Sequence, residues 1–441
     1  MADRITVIGW DGTPLTEAAG AALAAATLVA GAPYQLKALP VPPAAERIAL
    51  GSIQLAARRI ARHRGAAVVI AEGDPGFFGV VRTLRRPEYG LELEVLPAVS
   101  SVAAAFARAG MPWEDAQVVS AHGGRLRRAA NVCRANPKVA VLTAPGAGPG
   151  ELALMLRGVH RTFVVCEALG TPDEDVTVLT SDRVADHVWR DPSVVLVIGG
   201  SSSGGGPGGG PQADTATAAA GWLAGRPVGF PGPDRGWALP PDAYTGAERT
   251  ENAPGAPDTL PAHVRALVLA RLGARPGDLL WSVGAGIGAL AVEAARFGAA
   301  VVAVEADRTA CARLAVNARR YGVEVEIVQG HAPEVLGGLP EPDAAVVENG
   351  GPDVVRAVLS RRPERVVAVA RTLAEAEEVR RAIAEAGYRA DGALLQSAPL
   401  LAPVTGPGAA SAATGAADTG RGLRLGVGDP GAFLLWGEQI V

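Results

Sequence analysis

Short apolar runs bounded by turn residues recur along the first half of the chain, with longer runs between them. A short run of this kind is typical of a buried strand, whereas the longer alanine-rich run at 16–30 is typical of a helix. Their alternation predicts an α/β sheet that is largely parallel. The predicted strands lie at 4–8, 66–70, 93–96, 116–120, 139–142, 162–165 and 194–197.

The same alternation starts again in the second half of the chain. Apolar runs predict strands at 279–283, 300–304, 324–328, 343–347 and 365–369, with a final strand at 432–436. Helical runs lie between the first five, which is the pattern of one doubly wound domain. We therefore expect a ligand crevice at the carboxyl ends of these strands, where the first strand runs into a glycine-rich turn.

Two segments lack the recurring apolar runs, and they divide the chain. Residues 201–211 consist of Ser, Gly and Pro and cannot bury a core, and residues 222–258 are rich in Pro, Gly and Asp, so both segments are predicted to be linker. Within them, Trp237–Pro240 is a candidate for local docking. The stretch 405–420 is predicted to be a long loop. We expect a domain at 1–200, a flexible linker at 201–258 and a second domain at 259–441.

Composition narrows the class of protein. The 441 residues carry a formal net charge of -4, which argues against a dedicated nucleic-acid binder. Cys133, Cys166 and Cys311 show no C-x-x-C spacing, so we expect neither a disulfide framework nor a metal site. With no secretory signal after Met1 and no apolar stretch of about 18 residues, we expect a cytoplasmic protein without a membrane span.

A glycine-rich turn at 284–288 is the clearest binding motif in the second half. Gly284, Gly286 and Gly288 let the backbone approach a ligand, and the following helix offers free N–H groups at its start. Glu305 ends the next predicted strand, where a carboxylate can accept hydrogen bonds from two ribose hydroxyls. The combination predicts an adenosyl cofactor.

The glycines alone leave the cofactor open. Gly284, Gly286 and Ala289 fit the G-x-G-x-x-A spacing of NAD sites, while Gly284, Gly286 and Gly288 fit the G-x-G-x-G spacing of S-adenosylmethionine sites. A turn without a ligand is the third reading. The sequence V-E-A-D at 304–307 and the helix that follows it resemble class I methyltransferases, which favours S-adenosylmethionine over NAD.

In the first half, four turns follow predicted strands and are expected to line one crevice. They are Gly9-Trp10-Asp11-Gly12, Gly73-Asp74-Pro75, the run 97–101 that ends in Ser100-Ser101, and the run 120–124 around His122. Each turn alone also has a purely structural explanation, since a serine before a helix is a common N-cap and Asp74 can stabilise its own turn.

This series resembles the tetrapyrrole methylase family, in the branch that methylates carbon 5 of precorrins. The runs Pro112–Asp115 and Glu167–Glu174 are also similar to that branch. From about Leu260 onward the chain resembles the carbon-15 methyltransferase partner of the branch, notably at 279–281, 330–333 and 342–344. The resemblance implies a pair of α/β subdomains like those of tetrapyrrole methylases, followed by a Rossmann-like class I methyltransferase domain.

The resemblance also implies a reaction. It implies methyl transfer from S-adenosylmethionine to two carbons of a corrin precursor in cobalamin biosynthesis, with loss of carbon dioxide from an acetate side chain. The first domain would act at carbon 5, and the second at carbon 15 and in the decarboxylation. A tetrapyrrole is then the small-molecule partner, and self-association is expected. Because the substrate itself supplies the nucleophilic carbon, the protein mainly has to position the reactants.

Site residues follow from the motifs and the resemblance. The arginines near the first crevice are expected to bind substrate carboxylates, with Arg82 and Arg125 as the candidates and a solvated helix face as the alternative. His122 is the candidate titratable residue. The expected cofactor residues are Gly9, Asp11, Gly73, Asp74, Pro75, Ser100 and Ser101 in the first domain, and Gly284, Ala285, Gly286, Gly288, Glu305 and Ala332 in the second.

The second domain departs from the pattern that it resembles. Ser282 stands where an acidic residue is usual, Leu260 where threonine is usual, and Glu348-Asn349 where a glycine-rich turn is usual. Loss of a carboxylate near a cationic cofactor would weaken its binding. The alternative to the two-reaction enzyme is therefore a carbon-5 methyltransferase whose second domain only supports structure or holds substrate. An NAD-dependent oxidoreductase is the less favoured reading.

Overall fold

The computed structural model describes residues 4–51, 53–190, 193–199, 236–246, 259–398, 400–401, 424–425 and 431–439. The chain divides into two compact units, the first formed by residues 1–133 and 137–226 and the second by 134–136 and 227–441. The low-complexity predictions for 201–211 and 405–420 lie outside the described residues. Every helix within the described ranges is too short or too polar to cross a membrane.

The first unit opens with a sheet of five parallel strands. Its strands are β1 (Arg4–Trp10), β2 (Leu28–Gly31), β3 (Glu46–Ala49), β4 (Ala67–Glu72) and β5 (Glu92–Leu96), in the order β3-β2-β4-β1-β5. Its helices are α1 (Glu17–Ala24), α2 (Pro33–Ala38), α3 (Ile53–Arg62), α4 (Val80–Leu84) and α5 (Ser101–Ala109). Apolar side chains of β1 and β4 are buried on both faces, as a parallel sheet covered by helices requires.

The helix predicted over 16–30 is wrong in its second half. The Thr16 hydroxyl caps the helix by accepting from the Ala19 amide, but the helix ends at Ala24 and the chain then enters β2. Residues 28–30 are fully buried between β3 and β4. A run of Leu, Val and Ala fits a helix and a buried strand equally well when only its apolar character is read.

The second sheet of this unit is mixed, so the prediction of a largely parallel sheet is wrong here. Only β6 and β7 are parallel, and β10 lies antiparallel between β7 and β8. Apolar runs carry no information on strand direction, which explains the error. The strands are β6 (Gln117–Ser120), β7 (Lys138–Leu142), β8 (Arg161–Glu167), β9 (Asp175–Thr180) and β10 (Ser193–Gly199), with α6 (Leu126–Ala135), α7 (Pro149–Met155) and α8 (Ser181–Val184).

The second unit is built on a seven-stranded sheet in the order β13-β12-β11-β14-β15-β19-β16. All pairs from β13 to β15 are parallel, and β19 is antiparallel to both of its neighbours. The strands are β11 (Leu279–Val283), β12 (Ala300–Glu305), β13 (Glu326–Gln329), β14 (Ala344–Val347), β15 (Arg365–Ala370), β16 (Tyr388–Leu395) and β19 (Ala432–Gln439), with the short pair β17 (Leu400–Leu401) and β18 (Arg424–Leu425). The helices are α9 (Ala262–Leu272), α10 (Ala289–Arg296), α11 (Arg308–Arg320), α12 (Gly351–Leu359) and α13 (Leu373–Glu385).

Residues 236–246 lie within the segment predicted to be linker, and they pack onto the second unit. Leu239, Ala243 and Tyr244 are buried in the same core as α9 and α10. The Tyr321 hydroxyl donates a hydrogen bond of 2.9 Å to the Ala243 carbonyl. The candidate docking patch at 237–240 is therefore part of a longer ordered segment.

Candidate functional site

Three loops of the first unit meet at the carboxyl ends of β1, β4 and β5. The Gly73 amide donates to the Trp10 carbonyl at 2.9 Å, which ties the loop after β4 to the end of β1. A Cβ added to Gly9 would lie 2.6 Å from the Ala98 amide nitrogen and would overlap the Gly73 carbonyl oxygen. Glycine at position 9 is therefore what lets the three loops approach one another.

Asp11 joins two of these loops through its carboxylate. One oxygen accepts from the Thr13 amide at 3.1 Å and from the Thr13 hydroxyl at 2.6 Å, and the other accepts from the Val99 amide at 3.3 Å. Burial tends to raise the pKa of Asp11, but the hydrogen bonds outweigh it and the pKa lies below its ordinary value. Asp11 thus presents a fixed negative charge at this edge of the sheet.

A cavity of about 260 Å³ lies between these loops, helix α5 and the loop that follows β8. Of the predicted cofactor residues, Asp11, Gly73 and Ser101 line it. The other lining residues are Thr13, Glu72, Val99, Ala103, Ala104, Ala107, Arg108, Leu169 and Gly170. A cavity enclosed by loops at the carboxyl ends of parallel strands is where open α/β folds bind small molecules.

The other predicted residues of the first unit lie beside the cavity or away from it. The Ser100 hydroxyl caps α5 by accepting from the Ala103 amide at 3.1 Å. One Asp74 oxygen accepts from the Gly76 amide at 2.8 Å, within its own turn. His122 Nδ1 lies 3.0 Å from the Ser120 hydroxyl. His122, Arg82 and Arg125 are exposed and do not line the cavity, so their roles stay predictions. The roles of Gly9 and Pro75 also stay predictions, because neither residue lines the cavity.

Sequence reasoning missed several residues that line this cavity, among them Glu72, Arg108 and Gly170. Burial raises the pKa of Glu72. The Arg108 guanidinium pairs with Glu174, and a Glu174 oxygen accepts from the Gly170 amide at 2.8 Å. The run Glu167–Glu174 carries part of the family resemblance but no predicted site residue. Its position after a strand was the signal that could have assigned one.

The glycine turn of the second unit has the predicted geometry. Gly284, Gly286 and Gly288 all have φ between +54° and +80°, a region that favours glycine. The Gly286 amide donates to one Glu305 oxygen at 2.7 Å, and the Asp307 amide donates to the other at 2.9 Å. Each carboxylate oxygen keeps a second lone pair, so Glu305 can still accept from a ligand.

The remaining predicted residues of this unit lie around the same edge. The Ala285 amide donates to the Val304 carbonyl, which holds the turn against the end of β12. The Gly330 amide donates to the Glu305 carbonyl at 2.9 Å, and Ala332 follows two residues later. The turn is also tied to the segment 236–246, because the Asn317 side chain donates to the Ile287 carbonyl and accepts from the Thr245 amide.

Ser282 and Glu348, two of the departures noted in the sequence, are hydrogen-bonded partners. The Ser282 hydroxyl donates to a Glu348 oxygen at 2.7 Å, and both residues are buried. Glu348 follows β14, the strand next to β11, and its amide donates to the Val283 carbonyl. Burial raises the pKa of Glu348 to about 8. A carboxyl group therefore lies beside position 282 even though residue 282 is not acidic.

We expect the stability of the second unit to fall as pH rises from about 4.5 to about 8. The ordinary pKa of Glu348 is 4.5 and the folded-state pKa is about 8, so the folded protein binds more protons than the unfolded chain between these values. Glu348→Gln should remove most of this dependence and leave the unit a few kcal/mol more stable at high pH, at about 1.4 kcal/mol per pKa unit. Chemical denaturation below, within and above this range measures it.

Ser282→Ala provides the control for this pH dependence. It keeps the ionisable carboxyl and removes the hydrogen bond that lowers the pKa of Glu348. The loss of stability should then extend to higher pH than in the parent protein. Equal pH profiles for the parent protein and Glu348→Gln would contradict the assignment of the titration to Glu348.

Comparisons with known proteins match both units. Residues 11–185 match the family model of tetrapyrrole (corrin/porphyrin) methylases, and residues 260–406 match the model of a precorrin methyltransferase domain. A protein of Sinorhizobium sp named precorrin-6Y C(5,15)-methyltransferase (decarboxylating) is 32% identical over 308 residues, which cover 66% of this chain and 64% of that protein. The chain thus spans slightly less than two thirds of this relative.

Two further relatives are similar to this chain. A protein of Mycobacterium tuberculosis (strain CDC 1551 / Oshkosh) with the same name is 30% identical over 366 residues, which cover 81% of this chain and 83% of that protein. A protein of Pyrobaculum calidifontis named probable cobalt-precorrin-6B C(15)-methyltransferase (decarboxylating) is 38% identical over 128 residues, which cover 27% of this chain and 65% of that protein.

Proposed function

The chain belongs to the family of decarboxylating precorrin-6Y C(5,15)-methyltransferases, and from this membership we propose that it methylates a precorrin at carbons 5 and 15 and removes carbon dioxide from an acetate side chain. The first unit would act at carbon 5, and the second at carbon 15 and in the decarboxylation. The proposed methyl donor is S-adenosylmethionine and the proposed substrate is a tetrapyrrole. Self-association stays a prediction.

The residues of each unit fit the proposed cofactor. In the first unit, Asp11, Gly73 and Ser101 line a cavity that is large enough to enclose part of a nucleoside. In the second unit, the turn 284–288 and Glu305 offer a close backbone approach and a carboxylate for the ribose. When bound, S-adenosylmethionine supplies an electrophilic methyl group.

The work left to this chain is positioning and exclusion of water. The nucleophile is a carbon of the substrate, so no protein nucleophile is needed, and alignment of two bound reactants can contribute about 7–11 kcal/mol. The Asp11 carboxylate ties the loop 11–13 to the loop 97–101 through hydrogen bonds, and the Glu305 carboxylate accepts from the Gly286 amide and so holds the glycine turn. Arg82 and Arg125 are exposed on the first unit and are proposed to pair with substrate carboxylates.

The observation that favours two reactions over one is the intact glycine turn of the second unit. Its three glycines keep φ values that other residues rarely adopt, and Glu305 is held against the turn by two backbone hydrogen bonds. A module that only supports structure would not need such a turn. This favours the two-reaction enzyme over the carbon-5 methyltransferase with an inactive second domain.

Mass spectrometry of the product tests the proposal. The whole chain, incubated with a precorrin substrate and S-adenosylmethionine, should add two methyl groups and remove one carbon dioxide. Glu305→Ala should abolish the loss of carbon dioxide and the methyl transfer that are assigned to the second unit. A single methyl group added by the parent protein, without decarboxylation, would support the carbon-5 alternative instead.

A further inference from the structure

Glu348 is a buried carboxyl group at the point where the strand order of the second sheet reverses. The order β12-β11-β14 places the glycine turn after β11, Glu305 at the end of β12 on one side and Glu348 after β14 on the other. Glu348 is 7% exposed. In open α/β sheets this reversal point is where ligands bind, so the two carboxyl groups flank a predicted binding crevice.

The two carboxyl oxygens of Glu348 differ in their hydrogen bonds. The Ser282 hydroxyl donates to Oε1 at 2.7 Å and so fixes the orientation of the group. Within the described ranges, Oε2 accepts no hydrogen bond, and it is not among the fully buried polar atoms that lack a partner, so it still reaches solvent. Oε2 can therefore accept a hydrogen bond from a ligand, and a carboxyl group that is otherwise buried favours a donor that is itself charged.

We propose that Glu348, oriented by Ser282, binds the cationic amino-acid end of the S-adenosyl cofactor in the second unit. This inference rests on the proposed function. S-adenosylmethionine and S-adenosylhomocysteine both carry an ammonium group on the side of the molecule opposite the adenosine. Glu305 and the glycine turn account for the adenosyl half, which leaves the amino-acid half for the next strand in the sheet, β14.

The surroundings of Glu348 agree with binding of a cation. The charged groups that act on it are Arg265 of α9 and Glu305 of β12, and the neighbouring Asn349 side chain accepts from Arg371 at 2.7 Å. The Arg265 guanidinium is already engaged by Glu293 and by the Leu239 and Leu260 carbonyls. The cation that acts on Glu348 is thus already paired with Glu293, and an incoming ammonium group would favour the ionised form of Glu348.

Calorimetric titration of the full chain with two ligands tests the proposal. The probes are S-adenosylhomocysteine, which has the amino-acid end, and 5′-methylthioadenosine, which lacks it. The parent protein should bind two equivalents of S-adenosylhomocysteine, one in each unit. Glu348→Gln should bind one of these about ten- to a hundredfold more weakly, since a charge-assisted hydrogen bond is lost, and its affinity for 5′-methylthioadenosine should be unchanged.

Two variants separate this role from a structural one. Glu305→Gln should weaken both ligands at the same site, because it removes the contact to the shared adenosyl half. The double variant Ser282→Asp, Glu348→Gly returns a carboxylate to the same place from the neighbouring strand, and it should restore most of the affinity for S-adenosylhomocysteine. Unchanged binding of 5′-methylthioadenosine shows that the second unit of Glu348→Gln is folded, and a cooperative unfolding transition checks the other two variants.

Three results would overturn the assignment. Glu348→Gln could bind S-adenosylhomocysteine as tightly as the parent protein, or it could lose affinity for both ligands equally, which would indicate an effect on the turn alone. In either case two equivalents still bind to the parent protein and the proposed function stands. If the parent protein binds only one equivalent of S-adenosylhomocysteine, this result contradicts both the proposed activity of the second unit and the role of Glu348.

Discussion

Replacing Glu293 with alanine is expected to destabilise the second unit by about 3–5 kcal/mol, the cost of breaking a buried ion pair. The Glu293 and Arg265 side chains are both 0% exposed, and Arg265 Nε lies 3.1 Å from a Glu293 oxygen. Within the described ranges, the hydrogen-bond partners that then remain to the buried guanidinium are the Leu239 and Leu260 carbonyls. A buried charge without its partner destabilises a fold far more than removal of both charges does.

The same substitution should release the segment 236–246 from the second unit. Glu293 also accepts from the Ala238 amide at 2.6 Å, from the Leu239 amide at 3.2 Å and from the Tyr244 hydroxyl at 2.6 Å. Burial, then the neighbouring Glu293, raises the pKa of Tyr244, so its hydroxyl stays protonated and donates. Chemical denaturation measures the stability, and limited proteolysis should show faster cleavage within 236–246.

Glu377→Ala is the matched control for this prediction. Glu377 pairs with Arg381 at 3.8 Å on the surface of α13, where both side chains are more than half exposed. An exposed pair of this kind contributes about 0–1 kcal/mol, so the control should unfold almost like the parent protein. Similar losses for Glu293→Ala and Glu377→Ala would mean that the buried cluster does not hold this unit together.

Sequence patterns predicted the fold best where a strand is apolar throughout. The prediction of 279–283 is confirmed to the residue, and 300–304 and 365–369 differ from the structure by one residue at the end. Strand β9 was missed because it lies at a sheet edge with exposed alternate positions, and its polar half obscures the pattern. Strand β16 was missed for the same reason.

The sequence predicts only those parts of the candidate sites that lie within one local motif. The glycine turn and Glu305 belong to one local strand–turn–helix–strand unit, and the structure brings them together. Ser282 and Glu348 are 66 residues apart, and Glu293 and Tyr244 are 49 residues apart. Pairing between such positions depends on strand order and packing, which no single sequence pattern encodes. Ser282 and Glu348 therefore stand in the sequence only as departures from the pattern, and no sequence motif points to Glu293 or Tyr244.

Gly170→Ala is expected to disrupt the cavity of the first unit and to destabilise that unit by several kcal/mol. Gly170 has a φ of +74°, and a Cβ added there would overlap the Asp11 carbonyl oxygen. Gly12 meets Gly170 from the other side at the same crossing. The left-handed conformation alone costs alanine about 1–2 kcal/mol, and the overlap adds to this because backbone, not a flexible side chain, must move.

The loss of function should exceed the loss of stability in this variant. Displacing the loop that carries Asp11 breaks the hydrogen bond between Asp11 and the Val99 amide, so the first unit should bind S-adenosylhomocysteine at least tenfold more weakly and lose the carbon-5 methylation proposed for it. Gly124→Ala is the matched control, because Gly124 has a φ of +77° and no atom within 4 Å of the added Cβ. Gly124→Ala should lose only the about 1–2 kcal/mol of stability that the left-handed conformation costs alanine. It should bind S-adenosylhomocysteine as tightly as the parent protein. Equal losses in the two variants would show that the crossing of Gly12 and Gly170 does not shape the site.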